Sequence, residues 1–105
     1  MFAIAYDFDT ACFKESYHND SWQNAYGDLK KFMHKKGFTT VQGSVLYGDE
    51  TVTMVGAMMA ITELCQKYQW VNSCVKDIRI LRILENDDLK PFIASVTPEP
   101  EPETV

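Results

Sequence analysis

No apolar run in this sequence approaches the ~18 to 20 residues that a membrane-spanning helix requires, and its N-terminus lacks the basic, apolar, small-residue order of a secretory leader. The chain therefore reads as cytoplasmic, with no membrane partner. Cysteine is scarce. Cys12, Cys65 and Cys74 are odd in number and include no Cys-x-x-Cys pair, so neither a disulfide framework nor a zinc site is expected and the thiols read as reduced. Only two histidines are present, and they are far apart. His34 falls among lysines and reads as solvated, while His18, in a connecting segment, is a candidate proton shuttle. Positive charge is not in excess either: ten Lys and Arg stand against fifteen Asp and Glu, a net charge of −5, which argues against indiscriminate attraction to a nucleic-acid backbone. Three of those acids sit in the base-free tail Thr97-Pro-Glu-Pro-Glu-Pro-Glu-Thr-Val105. The body is thus nearly balanced and has room for local basic patches.

What the chain does have is an opening run, Phe2-Ala-Ile-Ala-Tyr-Asp-Phe8, that leads directly into Asp9. Strand alternation sorts Phe2, Ile4, Tyr6 and Phe8 to one face and Ala3, Ala5, Asp7 and Asp9 to the other. The bulky face seeks a core, and the small face ends in carboxylates. Asp is disfavoured inside strands, so Asp7 stands out as a candidate functional residue. Asp9 is a natural turn residue at a strand exit.

Downstream, Thr10 to His18 reads as a loop. Trp22, Ala25, Tyr26, Leu29, Phe32 and Met33 then recur at spacings of three and four, predicting an amphipathic helix after a cap at Asn19, Asp20 or Ser21, with Lys35-Lys36-Gly37 as its stop. Phe38 to Tyr47, broken by Gly43, predicts two short strands or one bulged strand. A second helix, capped by Asp49 or Thr51, follows with Met54, Met58, Ile61, Cys65 and Tyr68 as its buried stripe. Its methionines read as core filler. Trp70 reads as core or interface. The last strand, Val75 to Leu84, mixes apolar and charged residues on both faces, as at a sheet edge, a subunit contact or a site.

The order β-α-β-β-α-β within residues 1–96 predicts an α+β fold of the ferredoxin-like plan, a four-stranded antiparallel sheet with both helices on one face. One such domain spans residues 1–96, with 97–105 as a disordered Pro/Glu tail. The uncovered sheet face predicts a homodimer, with the two copies of Asp7 facing a shared cleft.

The opening Phe-Ala-Ile-Ala-Tyr-Asp, the Ala25-Tyr26 helix, Gly37-Phe38, Gln42-Gly-Ser-Val45, Trp70 and Val75-Lys-Asp-Ile-Arg79 occur in an order and spacing that resemble the virulence-associated protein D (VapD) family. The resemblance runs from Phe2 to about Pro91. It implies a modified ferredoxin-like dimer, related in fold to small CRISPR-associated adaptation nucleases. It also implies endoribonuclease activity on single-stranded RNA or mRNA, and the toxin role of a toxin-antitoxin module with an antitoxin protein as partner. Carried over by position, Asp7, Ser44 and Asp77 are the expected catalytic residues. Chemistry gives them jobs: Asp7 as general base or as a ligand, with Asp9, of Mg²⁺, and Ser44 as a donor to phosphate. Arg79 and Arg82 would clamp phosphate, and Lys30 and Lys31 would attract RNA. Two other readings compete. One is a noncatalytic dimeric module that binds RNA or protein, with Asp7 and Asp77 paired to Arg79 or Arg82. The other is a small thiol protein built on Cys12.

Overall fold

The computed structural model describes residues 1–17 and 21–99. His18, Asn19, Asp20 and the last six residues of the tail lie outside them. β1 (Phe2–Phe8) leads into helix α1 (Thr10–Ser16), a short 3₁₀ turn (Trp22–Asn24) and α2 (Ala25–His34). β2 (Phe38–Gln42) and β3 (Val45–Gly48) follow, then α3 (Met54–Lys67), α4 (Gln69–Cys74), β4 (Val75–Arg82) and α5 (Lys90–Val96). The sheet order is β2-β3-β1-β4, with every neighbouring pair antiparallel. This is the ferredoxin-like arrangement expected from the sequence, with β2 and β4 as the two edges.

Alternation on β1 holds from Ile4 to Phe8, while Ala3, expected on the open face, is buried and Phe2 is half-buried. Ile4, Tyr6 and Phe8 are buried with Phe13, Leu29, Met33, Phe38, Leu46, Leu64 and Trp70 in one core, whereas Asp7 is exposed. Burial on this scale, at roughly 25 cal/mol per Å² of apolar surface, is what holds the helices to the sheet. On α2 the stripe Ala25, Leu29 and Met33 is buried, and Gly37 ends the helix at φ +95°, a conformation that L side chains rarely adopt. Gly43, at φ +43°, begins the two-residue turn between β2 and β3.

Four expectations need correction. Thr10 to Ser16 is a helix rather than a loop: the Asp9 side chain accepts the Ala11 N–H at 3.0 Å, and Phe13 is driven into the core. The cap of α3 is Thr53, whose hydroxyl accepts the Gly56 N–H at 3.0 Å. Asp49 instead closes its own turn, accepting from the Thr51 N–H and hydroxyl. The buried stripe of α3 is Ala57, Ala60 and Leu64, rotated by one residue from the predicted one. Met54, Met58 and Met59 face outward, so they are surface and not filler; small alanines let the helix lie close on the sheet, and the flexible methionines are left outside. Lastly, Cys12 and Cys74 form a disulfide between α1 and α4. A loop reading of residues 10–18 and the absence of any helix at 69–74 had kept these two cysteines apart.

Past β4, the chain gains a helix that the sequence reading did not include. Its N-cap Leu89 and its residues Phe92, Ile93 and Val96 follow at spacings of three, one and three, all between 57 and 62% exposed. The radius of gyration is 18.3 Å, against ~13 Å for a compact chain of this length. Asn86 to Lys90 and Ile93 line a groove with Val41, Gln42 and Tyr47 of the sheet.

Candidate active site at the strand exit

β1 pairs with β4 so that Asp7 lies directly opposite Asp77, and the register shifts between Asp7 and Phe8. Like charges facing each other across a ladder oppose pairing. An ordinary sheet has no reason to hold them there, which makes the pair the first mark of a site. Its second mark is Arg79, two residues along the same face of β4, whose Nε donates to both Asp77 carboxylate oxygens, at 3.0 and 3.2 Å. That bond, with the Asp77 charge, pushes the Arg79 guanidinium further up in pKa. Both bonds are made by Nε, and the other N–H groups of a guanidinium are donors of the kind that bind phosphate.

Ser44 belongs to the same end of the sheet. It sits in the β2–β3 turn, and its carbonyl accepts the Tyr6 N–H at 3.0 Å, which pins the turn beside the residue that precedes Asp7. Asp7, Ser44, Asp77 and Arg79 are all exposed, contributed by β1, the β2–β3 turn and β4. On the buried side, Tyr26 lies against Tyr6 and Phe8, with ring centroids 6.1 Å away in each case. Burial, then the charge of Asp7, pushes its phenol up in pKa. Periodicity had placed Tyr26 only in a packing stripe; its nearness to Asp7 comes from the way α2 crosses the sheet.

The remaining expected residues lie elsewhere. Asp9 caps α1. Arg82 pairs in register with Phe2 at the far end of β4, five residues and ~17 Å along the strand from Asp77, with its side chain alternating to the opposite face. Lys30 and Lys31 line a separate open groove of about 530 Å³ with His34, Lys35, Phe38, Thr39 and Thr40, toward the end of the sheet where β2 begins. Among the described residues, no three His, Cys, Asp or Glu side chains gather to hold a metal. Asp7 and Asp77 are cross-strand partners in the β1–β4 register.

Around the acidic pair, the backbone is tied from both sides. The Asp9 N–H donates to the Cys74 carbonyl at 2.8 Å, and the Cys12 N–H donates to the Asp9 carbonyl at 3.1 Å. The Cys12–Cys74 bridge spans the same two segments, with Cα atoms 5.4 Å apart.

No family model matches the sequence. Three bacterial relatives align along nearly the whole chain. "Endoribonuclease VapD 2" of Riemerella anatipestifer is 40% identical over 94 residues, covering 90% of this chain and 100% of that protein. "Endoribonuclease VapD homolog" of Helicobacter pylori is 42% identical over 96 residues, covering 91% and 99%. "Endoribonuclease VapD" of Haemophilus influenzae is 33% identical over 95 residues, covering 89% and 98%.

Proposed function

This chain belongs to the VapD endoribonuclease family, and from that membership we propose that it cleaves single-stranded RNA internally at the strand exit, with Asp7, Ser44 and Asp77 around the scissile phosphate. The observation that carries this reading is the register that sets Asp7 opposite Asp77, with the Ser44 turn anchored to Tyr6 beside them. In this reading Asp7 accepts the proton of the attacking hydroxyl, either water or the neighbouring 2′-hydroxyl. Ser44 donates to a phosphate oxygen, and Arg79, held by Asp77, offers its free donors to the phosphate as charge builds there. Mg²⁺ suits the site: it takes one or two carboxylates plus substrate phosphate. In a metal-assisted form Asp7 and Asp77, rather than Asp9, would hold it, Asp7 then serving as a ligand in place of the base, and it would supply neutralisation of the phosphate charge. Lys30, Lys31 and Arg82, remote from the acids, serve binding of the RNA backbone rather than the cleavage step.

Two apolar surfaces that a single chain leaves uncovered support a homodimer as the working form: the stripe of α5, and the open sheet face on which Val41 and Leu81 are exposed. A toxin role in the cytoplasm, with an antitoxin protein as partner, rests on the family resemblance. The test is cleavage of a labelled single-stranded RNA by the wild type and an Asp7→Asn variant, each with Mg²⁺ or EDTA. Loss of cleavage in the variant supports the reading. Equal cleavage by both removes Asp7 as the base, and no cleavage by either favours a noncatalytic RNA-binding module.

A further inference from the structure

The bridge between Cys12 and Cys74 sits where it would matter most for that site. Cys12 is in the first turn of α1 and Cys74 ends α4, 62 residues later. Val75, the next residue, pairs with Phe8, and Asp77 pairs with Asp7. On the other arm, the Asp9 carboxylate caps α1 while its N–H is held by the Cys74 carbonyl. The disulfide thus closes a small ring around the point where the β1–β4 register shifts, with Cys74 three residues from Asp77 and Cys12 five from Asp7. α1 and α4 have seven and six residues, too few to be stable on their own, so their positions depend on what ties them down. In a reducing compartment a disulfide is more often a sensor than a staple.

We propose that the Cys12–Cys74 disulfide is a redox clamp on the strand exit: oxidised, it holds Asp7 and Asp77 in working register, and its reduction by a dithiol lowers cleavage. The proposal rests on the ribonuclease reading given above. Cys74 is 1% exposed and Cys12 is half-buried, so the accessible sulfur is that of Cys12. A thiolate of the dithiol attacks Cys12 Sγ, the S–S bond breaks, and Cys74 leaves as a thiolate that takes a proton from water. The second thiol of the reductant then displaces Cys12 from the mixed disulfide. Two protein thiols and one oxidised dithiol result. Burial pushes the remaining thiol, Cys65, up in pKa, which keeps it protonated and out of the exchange.

The experiment compares oxidised wild type, wild type reduced with dithiothreitol, and a Cys12→Ser/Cys74→Ser double variant, all on the same labelled RNA at fixed Mg²⁺, with free thiols counted before each assay. Reduction should slow cleavage roughly tenfold or more, the scale of a small misplacement of catalytic groups, and reoxidation should restore it. The double variant should match the reduced wild type and ignore the reductant. Equal rates for the oxidised and reduced wild type, or a double variant that still responds, would overturn the clamp. A second readout keeps the two proposals separate, because amide hydrogen exchange needs no activity. If no form cleaves RNA, the ribonuclease reading fails, and the clamp is judged by exchange at residues 7–9 and 75–77: faster exchange on reduction supports it, and unchanged exchange refutes it.

Discussion

Asp9 allows a clean separation between a structural and a metal-binding carboxylate. Its side chain accepts the Ala11 N–H at the start of α1, and α1 carries Phe13, whose ring packs edge-on against Trp70 with centroids 5.2 Å apart. Loss of an N-cap costs about 1 kcal/mol, with a range of roughly 0.5–2. For a chain of this size, that lowers the thermal midpoint by about 4–8 °C. Asp9→Ala should show this full loss. Asp9→Ser and Asp9→Asn keep an oxygen that can cap, and forfeit only the favourable charge at the helix N-terminus, a few tenths of a kcal/mol at an exposed site. Thermal melts followed at 222 nm should rank wild type, then Ser and Asn together, then Ala. The Mg²⁺ dependence of RNA cleavage by the Asp9→Ser variant should stay where it is in the wild type. A Ser variant that melts like the Ala variant would refute the capping argument. A Ser variant that melts normally but needs tenfold more Mg²⁺ would return Asp9 to the metal.

On α3, Leu64→Ala should cost about 2–5 kcal/mol by emptying a fully buried position, whereas Met58→Ala at the exposed face should stay within about 0.5 kcal/mol; urea denaturation showing the reverse order would put the methionine stripe back in the core. Reduction of the disulfide reopens a loop of 62 residues and should lower stability by about 4 kcal/mol in the chain-entropy account, read as a shifted urea midpoint with and without dithiothreitol, and an unmoved midpoint would contradict it. Burial, with the hydrogen bond to Asp28, pushes the Tyr17 phenol up to about 12 from an ordinary value of 10.0. The neutral form is the one the fold favours, so its stabilisation is complete below pH ~10 and is lost as pH rises toward 12. Burial also pushes Tyr6 and Tyr26 up, so an absorbance titration at 295 nm of Tyr17→Phe should lose the last-ionising phase and keep the others, and an unchanged last phase would reassign it.

Most of the sheet was legible because period-two alternation in β1 and the Gly43 break leave little freedom of assignment. The chain order then leads to β2-β3-β1-β4. Helix α2 was legible for the same reason: its stripe is broad and its stop is a glycine. The phase of α3 was not, because large apolar residues outnumber small ones on it and hydropathy favours Met58 over Ala57, while close packing on the sheet favours the alanine. Asp7 was marked by its place inside a strand pattern and Ser44 and Asp77 by family likeness, but their convergence at one end of the sheet depends on strand register, which no local pattern encodes. The same holds for Cys12 and Cys74, whose approach needs α1, and α1 is invisible unless Asp9 is recognised as a cap. α5 was hidden by Pro91 and by the acidic residues that precede it.

The disulfide also changes what kind of polymer folds. β1 and β4 form the most extensive pairing in the sheet, yet in the open chain Phe8 and Val75 are separated by nearly the whole domain. Such distant pairing is slow, because the entropy of closing the loop is lost before any contact compensates for it. Once Cys12 and Cys74 are joined, the path from Phe8 to Val75 runs through only a handful of residues, and the longest-range ladder of the sheet becomes as local as a hairpin. An oxidised chain refolding from urea with its bridge intact would meet its central pairing first, whereas a newly made, reduced chain must find it last.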